Sequence, residues 1–205
     1  MGARVVIAED EALIRLDLRE TLEEEGYEVV AETGRGDEVV DLVQEHRPDL
    51  AILDIKMPGG DGLSAAAEIT ARRLAAVLIL TAFSQRELVD KAREAGALAY
   101  LVKPFQRQDL VPALELALGR FEEMKALEDE VKDLEERLAA RRDIERAKGV
   151  LMDELDMKEA DAFRWIQRRA MDERTTMKDV ARRVVNEGLR PSRSEGRGQG
   201  AAGQG

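Results

Sequence analysis

The 205-residue chain reads as an α/β protein: a doubly wound sheet of five parallel strands, then a coiled-coil helix and a small three-helix bundle. Three observations carry that reading. Five short strand-like runs, at residues 5–8, 28–31, 50–54, 77–80 and 100–102, alternate with longer segments of near-helical apolar spacing. Such alternation builds a parallel sheet with helices on both faces and right-handed crossovers. Beyond the fifth run no strand pattern recurs, and the remaining apolar residues follow helical spacing with repeated start signals.

The first strand covers residues 5–8. Behind it Leu13, Ile14, Leu16, Leu18 and Leu22 recur at near-helical spacing until Gly26 ends the helix. Residues 28–31 are a short second strand, and Gly34 and Gly36 make a turn. Val39, Val40, Leu42 and Val43 supply the buried face of the next helix, and Pro48 follows its end. His46, near that end, reads as a solvated helix-terminal residue rather than a catalytic one. Residues 50–54 form an apolar run with the look of a buried central strand, and a loop with Pro58, Gly59, Gly60 and Gly62 follows at once. Residues 63–73 are an alanine-rich helix whose small side chains allow close approach to the sheet. After the strand at 77–80, Ser84 and Glu87 form a capping box for a helix carrying Leu88, Val89 and Ala92, which Gly96 closes. Tyr100, on the fifth strand, reads on spacing alone as an aromatic residue of a half-buried strand.

From Gln108 the chain enters a long helical region. Met124, Leu127, Val131, Leu134 and Leu138 are spaced alternately three and four apart among charged residues, a coiled-coil seam of little more than two heptads. Two uses are open to it: self-association, or an apolar stripe that packs on its own domain. Residues 141–155 continue as helix with Ile144, Ala147, Leu151 and Leu155 on one face. Asp156 and Glu159 bracket a second start, with Ala160, Phe163, Ile166 and Ala170 as its apolar stripe. Thr176 and Asp179 box a third helix carrying Val180, Ala181, Val184 and Val185, before Gly188. The expected organisation is a sheet domain over 1–119, a coiled-coil linker helix over 120–140, a three-helix output domain over 141–189 and a disordered Gly/Ser/Arg/Gln tail over 190–205.

Composition narrows the chemistry. With no cysteine, disulfides, thiolate catalysis and Cys-ligated zinc are excluded, and one histidine excludes a multi-His metal site. No apolar segment approaches the roughly 20 residues that span a bilayer, and the N-terminus has no signal-peptide pattern, so a cytoplasmic protein with no membrane partner is expected. The net charge of -11 counts against nucleic acid as a partner, but the charge is uneven. Residues 136–190 hold about 14 basic and about 12 acidic residues, which leaves most of the negative charge upstream.

Four of the five runs end on reactive side chains. The first runs into Glu9, Asp10 and Glu11, the third ends on Asp54, the fourth on Thr81 and the fifth on Lys103-Pro104. Open α/β sheets place their chemistry at the carboxyl ends of the strands, so these groups share one rim. Clustered carboxylates need a cation, and hard oxygen ligands suit Mg²⁺, which keeps waters and binds phosphate oxygens. A carboxylate beside that metal can act as nucleophile toward a phosphoryl group, with Lys103 and Thr81 stabilising the transferred oxygens.

With these residues in place, the first 120 residues or so resemble a two-component response regulator receiver domain, which has a flavodoxin-like fold. The resemblance implies Asp54 as phospho-acceptor for a sensor histidine kinase, Glu9 and Asp10 as the acidic metal pair, and the backbone carbonyl of Lys56 as a further Mg²⁺ ligand. It also implies Lys103 and Thr81 as phosphoryl-stabilising groups and Tyr100 as a switch ring that swings inward when Thr81 moves. The loop Met57-Pro58-Gly59-Gly60-Asp61-Gly62 fits the family pattern. Glu9 departs from it, since aspartate is more usual there.

The distal helices carry Arg146-Ala147-Lys148-Gly149-Val150-Leu151-Met152, then residues 160–171 with Phe163, Trp165 and Arg168-Arg169, then Val180-Ala181. This wording resembles the ANTAR family of RNA-binding antitermination regulators. An RNA reader needs a flat side chain and cations on one face. Lys148, Trp165, Arg168 and Arg169 are the expected RNA contacts, and the ligands implied are hairpins in nascent transcripts, bound by a homodimer that forms on phosphorylation. Two other readings remain open on sequence: a DNA-binding output, for which the last helix offers Lys178, Arg182, Arg183 and Asn186, and a helical protein-docking output. No second catalytic constellation is present, so an enzyme is not expected.

Overall fold

A computed structural model describes residues 2–82 and 86–191, with the side chains of 86–88 excepted. The chain divides into two compact units, Met1–Leu127 and Glu128–Gly205. In the first, β1 (Arg4–Ala8), β2 (Glu28–Thr33), β3 (Leu50–Asp54), β6 (Ala76–Thr81) and β7 (Ala99–Val102) form one parallel sheet in the order β2-β1-β3-β6-β7. The two-residue strands β4 (Lys56–Met57) and β5 (Gly60–Asp61) make a small antiparallel pair in the loop after β3. β1, β3 and β6 read as near-continuous apolar runs because both faces of a parallel sheet are covered, and every residue of β3 and β6 is buried.

One face packs Val6, Ala8, Ala51, Leu53, Val77 and Ile79 against α2 (Val39–His46), α3 (Gly62–Ala71) and Ala92 of α4 (Arg86–Glu94). Ala65 and Ala66 are buried there, as the small side chains of that helix lead one to expect. The other face packs Val5, Ile7, Ile52, Leu78 and Leu80 against Leu18 and Leu22 of α1 (Ala12–Glu24) and Leu110, Leu114 and Ala117 of α5 (Arg107–Leu155). Only part of the α1 stripe is buried: Leu13 is 82% exposed and Leu16 is exposed as well, because both lie on the flank turned away from the sheet. Ser84 and the side chains of Glu87 and Leu88, on which the expected capping box and part of the apolar stripe depend, lie outside what the structure describes.

The second unit contains the later part of α5, then α6 (Glu159–Asp172) and α7 (Met177–Asn186). Its core is Ala147, Leu151, Ala162, Trp165, Ile166, Ala170, Val180, Ala181 and Val184. Thr176 caps α7 as expected: its Oγ1 accepts from the Asp179 backbone N–H at 3.1 Å and donates to Asp179 Oδ2 at 2.6 Å. The start of α6 differs from expectation. Lys158 occupies the N-cap without a side-chain cap, while Asp156 takes a left-handed φ of 53° in the turn that stops α5. The α6 stripe is also rotated. Ala162 and Trp165 join Ile166 and Ala170 in the core, whereas Ala160 and Phe163 face outward. The expected tail falls almost wholly outside the described residues.

Candidate functional site

The parallel register brings the ends of β1, β3, β6 and β7 to one rim. Asp54 is the last residue of β3 and is 8% exposed; Thr81 ends the neighbouring β6 and is buried. Glu9 follows β1, is fully buried, and accepts from the Glu11 backbone N–H through Oε1 at 3.3 Å. Ligand oxygens of Glu9, Asp10 and Asp54 all lie within 4.8 Å of one another. Lys103, one residue past β7, places Nζ 2.6 Å from Glu9 Oε2 and 3.4 Å from Asp54 Oδ2. Its backbone N–H donates to the Thr81 carbonyl at 2.8 Å, which fixes the lysine at the rim, and the Lys103-Pro104 peptide is cis.

The loop after β3 has its own requirement. The Gly62 N–H donates to Ile55 O at 3.0 Å, and a Cβ at Gly62 would stand 1.9 Å from the Asp54 carbonyl oxygen. No side chain fits there, so this glycine lets the loop fold back against the backbone of Asp54. The Ile55 N–H donates to Asp54 Oδ1 at 2.9 Å, which leaves Oδ2 to the lysine.

Electrostatically the rim is under tension. Burial pushes the carboxyl groups of Glu9 and Asp54 above their ordinary range, and the Lys103 ammonium opposes both shifts without cancelling them. The donor set of three carboxylates suits a hard divalent cation. Glu9 Oε2 is a buried oxygen with no hydrogen-bond donor beyond the lysine, so a second positive charge at this site would be accommodated. The longer Glu9 reaches the lysine directly, a contact its spacing in sequence does not disclose.

The distal residues are distributed differently from the expected group. Trp165 is 9% exposed and lies in the core of its bundle, so its ring fills space between helices. Lys148 is buried, and its Nζ sits 2.9 Å from Glu145 and 2.6 Å from Glu159. Arg169 pairs with Glu173 at 2.6 Å. Arg168 is exposed and makes no ion pair among the described residues. Tyr100, on edge strand β7, is 47% exposed. Among the described residues no helix is long and apolar enough to cross a membrane.

Comparison with known proteins gives the same two parts. The model of the response regulator receiver domain matches residues 5–115, and that of the ANTAR domain matches residues 132–185. The chain is 61% identical over 182 residues to the transcriptional regulatory protein PdtaR of Mycobacterium tuberculosis, covering 89% of each. It is 37% identical to the chemotaxis protein CheY of Bacillus subtilis, which aligns over its whole length with 58% of this chain. Among solved structures, the receiver domain of the response regulator NarL from Mycobacterium tuberculosis superposes with a TM-score of 0.55 at 35% identity, over 58% of this chain and 98% of that one. A sheet rim built for charge, joined to helices matched by the ANTAR model, places this chain among the two-component response regulators with an RNA-binding antiterminator output.

Proposed function

We propose that Asp54 is the residue phosphorylated in this response regulator and that the distal helices answer by binding RNA hairpins. The observation that carries the first part is the convergence of Glu9, Asp10 and Lys103 on Asp54 at the end of a buried strand. A sensor histidine kinase is the donor. A carboxylate oxygen of Asp54 attacks the phosphorus, the P–N bond to the kinase histidine breaks with its electron pair going to the imidazole, and an aspartyl acyl phosphate forms. Glu9, Asp10, Asp54 and the backbone carbonyl of Lys56 would hold Mg²⁺, which when bound supplies positive charge against the phosphoryl oxygens. Lys103, already 3.4 Å from Asp54, is in reach of a phosphoryl oxygen, and Thr81 offers its hydroxyl from the adjacent strand end.

Relay to the output uses Tyr100 and the helical connector. Tyr100 stands exposed on the edge strand next to the strand that ends on Thr81, and its ring swings inward as Thr81 turns toward the phosphoryl group. Leu127, Val131, Leu134 and Leu138 are all exposed, which supports their use as a homodimer seam on phosphorylation. The working boundaries are a receiver over 1–119, a linker helix over 120–140, an output domain over 141–189 and a tail over 190–205. The protein acts in the cytoplasm as a regulator rather than an enzyme. Arg168 is the most exposed member of the expected RNA group; Lys148 and Trp165 are buried in the bundle, and Arg169 is partly exposed and held by Glu173.

The test is incubation with Mg²⁺ and acetyl phosphate, followed by intact-mass and peptide analysis. A phosphoryl group on Asp54, absent from Asp54→Asn, is expected. A wild-type protein with no added group on Asp54 overturns the proposal. Sedimentation of a Leu127→Lys/Leu134→Lys variant tests the seam: it is expected to stay monomeric under conditions that dimerise the phosphorylated wild type.

A further inference from the structure

Glu9 is held in place by its backbone as well as its side chain. Its N–H donates to the Thr33 carbonyl at 3.0 Å, extending the β1–β2 ladder one residue past β1, and its carbonyl accepts from Nη1 of Arg15 on α1. That carbonyl lies in the same rigid peptide plane as the Asp10 N–H, so the guanidinium fixes the plane from which the Asp10 side chain departs. Arg15 is half-buried and makes no ion pair among the described residues. Its charge is directed at a carbonyl rather than at a carboxylate.

The segment 34–38, between β2 and α2, runs directly alongside. The position that a Cβ would take at Gly34 lies 3.2 Å from Arg15 Nη1 and 3.6 Å from Asp10 Cα. Two residues on, the Gly36 N–H donates to the Pro58 carbonyl at 2.9 Å, and a Cβ at Gly36 would stand 2.3 Å from the Gly60 carbonyl oxygen. Only a glycine lets the two backbones meet so closely. Side chains stiffen the segment itself. Thr33 Oγ1 accepts from the Arg35 N–H at 3.1 Å and donates to Glu38 Oε2 at 2.6 Å, and Arg35 grips Asp37 with two hydrogen bonds of 3.0 and 2.7 Å. The segment therefore touches the loop that carries Asp10 on one side and the loop that carries the Lys56 carbonyl on the other.

We propose that the segment 34–38 and Arg15 position the divalent cation without touching it, by holding Asp10 and the Lys56 carbonyl at a fixed separation. Arg15 and Gly36 are the positioning residues. Mg²⁺ demands near-ideal octahedral geometry, so an error in the spacing of two of its ligands weakens binding. The assignment rests on the reading of Glu9, Asp10, Asp54 and the Lys56 carbonyl as the Mg²⁺ site. It runs against simple electrostatics, in which a cationic side chain beside the site repels the ion and its removal tightens binding. The two accounts predict opposite signs.

The full-length protein, with no phosphodonor, is titrated with Mn²⁺ by electron paramagnetic resonance and with Mg²⁺ in competition. Arg15→Met is expected to lose roughly ten-fold in affinity for both ions, as when a group that orients a metal ligand is removed. Arg15→Lys, which keeps a donor and the charge, is expected to recover most of it. Gly36→Ala is expected to weaken both ions by roughly the same factor. Arg19→Met takes the same charge from the same helix, but from a side chain paired with Glu23 and Glu32, and is expected to bind as the wild type does. With acetyl phosphate, the Mg²⁺ concentration for half-maximal labelling of Asp54 is expected to rise roughly ten-fold in Arg15→Met, with a smaller change in the rate at saturating Mg²⁺. Circular dichroism of the Arg15 variants is expected to match the wild type, since Arg15 stands outside the core. If Arg15→Met or Gly36→Ala binds Mn²⁺ as tightly as the wild type or tighter, the cation site stands and this proposal falls. If the wild type binds neither ion, the reading of the site fails and this inference with it.

Discussion

At the rim of the sheet, Glu9 and Asp54 are buried carboxylates whose pKa values lie above the ordinary range because burial outweighs the help of Lys103. In the helical unit, Glu159, Glu173 and Asp179 lie below theirs. Lys148 holds Glu159, Arg183 and then Arg169 hold Glu173, and the hydroxyls of Thr176 and Thr175 hold Asp179. The same side-chain chemistry does opposite work. In the first unit uncompensated negative charge is kept where a cation and a phosphoryl group are wanted, and stability is lower for it. In the second, carboxylates join neighbouring helices: Lys148 to Glu159 links α5 with α6, and Glu173 beside α6 meets Arg183 of α7.

The largest effect expected is from packing rather than charge. Trp165→Ala should destabilise the helical unit by about 3–5 kcal/mol, since a buried ring leaves a cavity the bundle cannot refill. Urea unfolding followed by helical circular dichroism measures it, and a loss under 1 kcal/mol would contradict a core role for the ring. Next comes Asp54→Asn, which in metal-free buffer should stabilise the sheet unit by about 1 kcal/mol, because it removes a desolvated charge from a carboxylate cluster. Destabilisation instead would mean that the pairing with Lys103 outweighs burial. A smaller change of opposite sign is expected for Glu173→Gln, seen as a lower unfolding midpoint of the helical unit.

Acid should separate the two units as well. For Glu159, Glu173 and Asp179 the folded value is depressed, so their support is complete above the ordinary carboxylate range and is lost as pH falls through the folded values. For Glu9 and Asp54 the folded value is raised, so their cost is complete above it and fades as pH falls toward the ordinary range. In metal-free buffer, carboxyl NMR titrations should show the first group titrating below, and the second above, the ordinary range. Parallel shifts in both units would remove the contrast.

Much of the rim was legible from the chain alone. Apolar runs that end on Asp54, Thr81 and Lys103 announce their own positions, because a parallel sheet collects strand ends on one side and the runs are local features. Gly62 was legible as part of the turn, though the contact that excludes a Cβ there was not. The outward side of α6 was misread for a specific reason. Ala160-Phe163-Ile166-Ala170 and Ala162-Trp165-Ile166-Ala170 both follow helical spacing, and only the surfaces of α5 and α7 decide between them. Leu13 and Leu16 fall in the same class: apolar, correctly spaced, and left outside because the sheet covers a narrower sector of α1 than the leucines occupy.

Order along the chain therefore settled the five strands of the main sheet, though not the short β4–β5 pair, together with the rim and its reactive groups, since each follows from a run of neighbours and from the period of the element that holds it. What awaited the assembled fold was every property that depends on partners far away in sequence. Glu9 reaches across to Lys103, Glu159 returns to Lys148, and Trp165 turns inward while Phe163 turns out. Burial and ion pairing are made by residues that meet only when the chain is closed, and periodicity has no access to which of two equivalent faces the neighbours will cover.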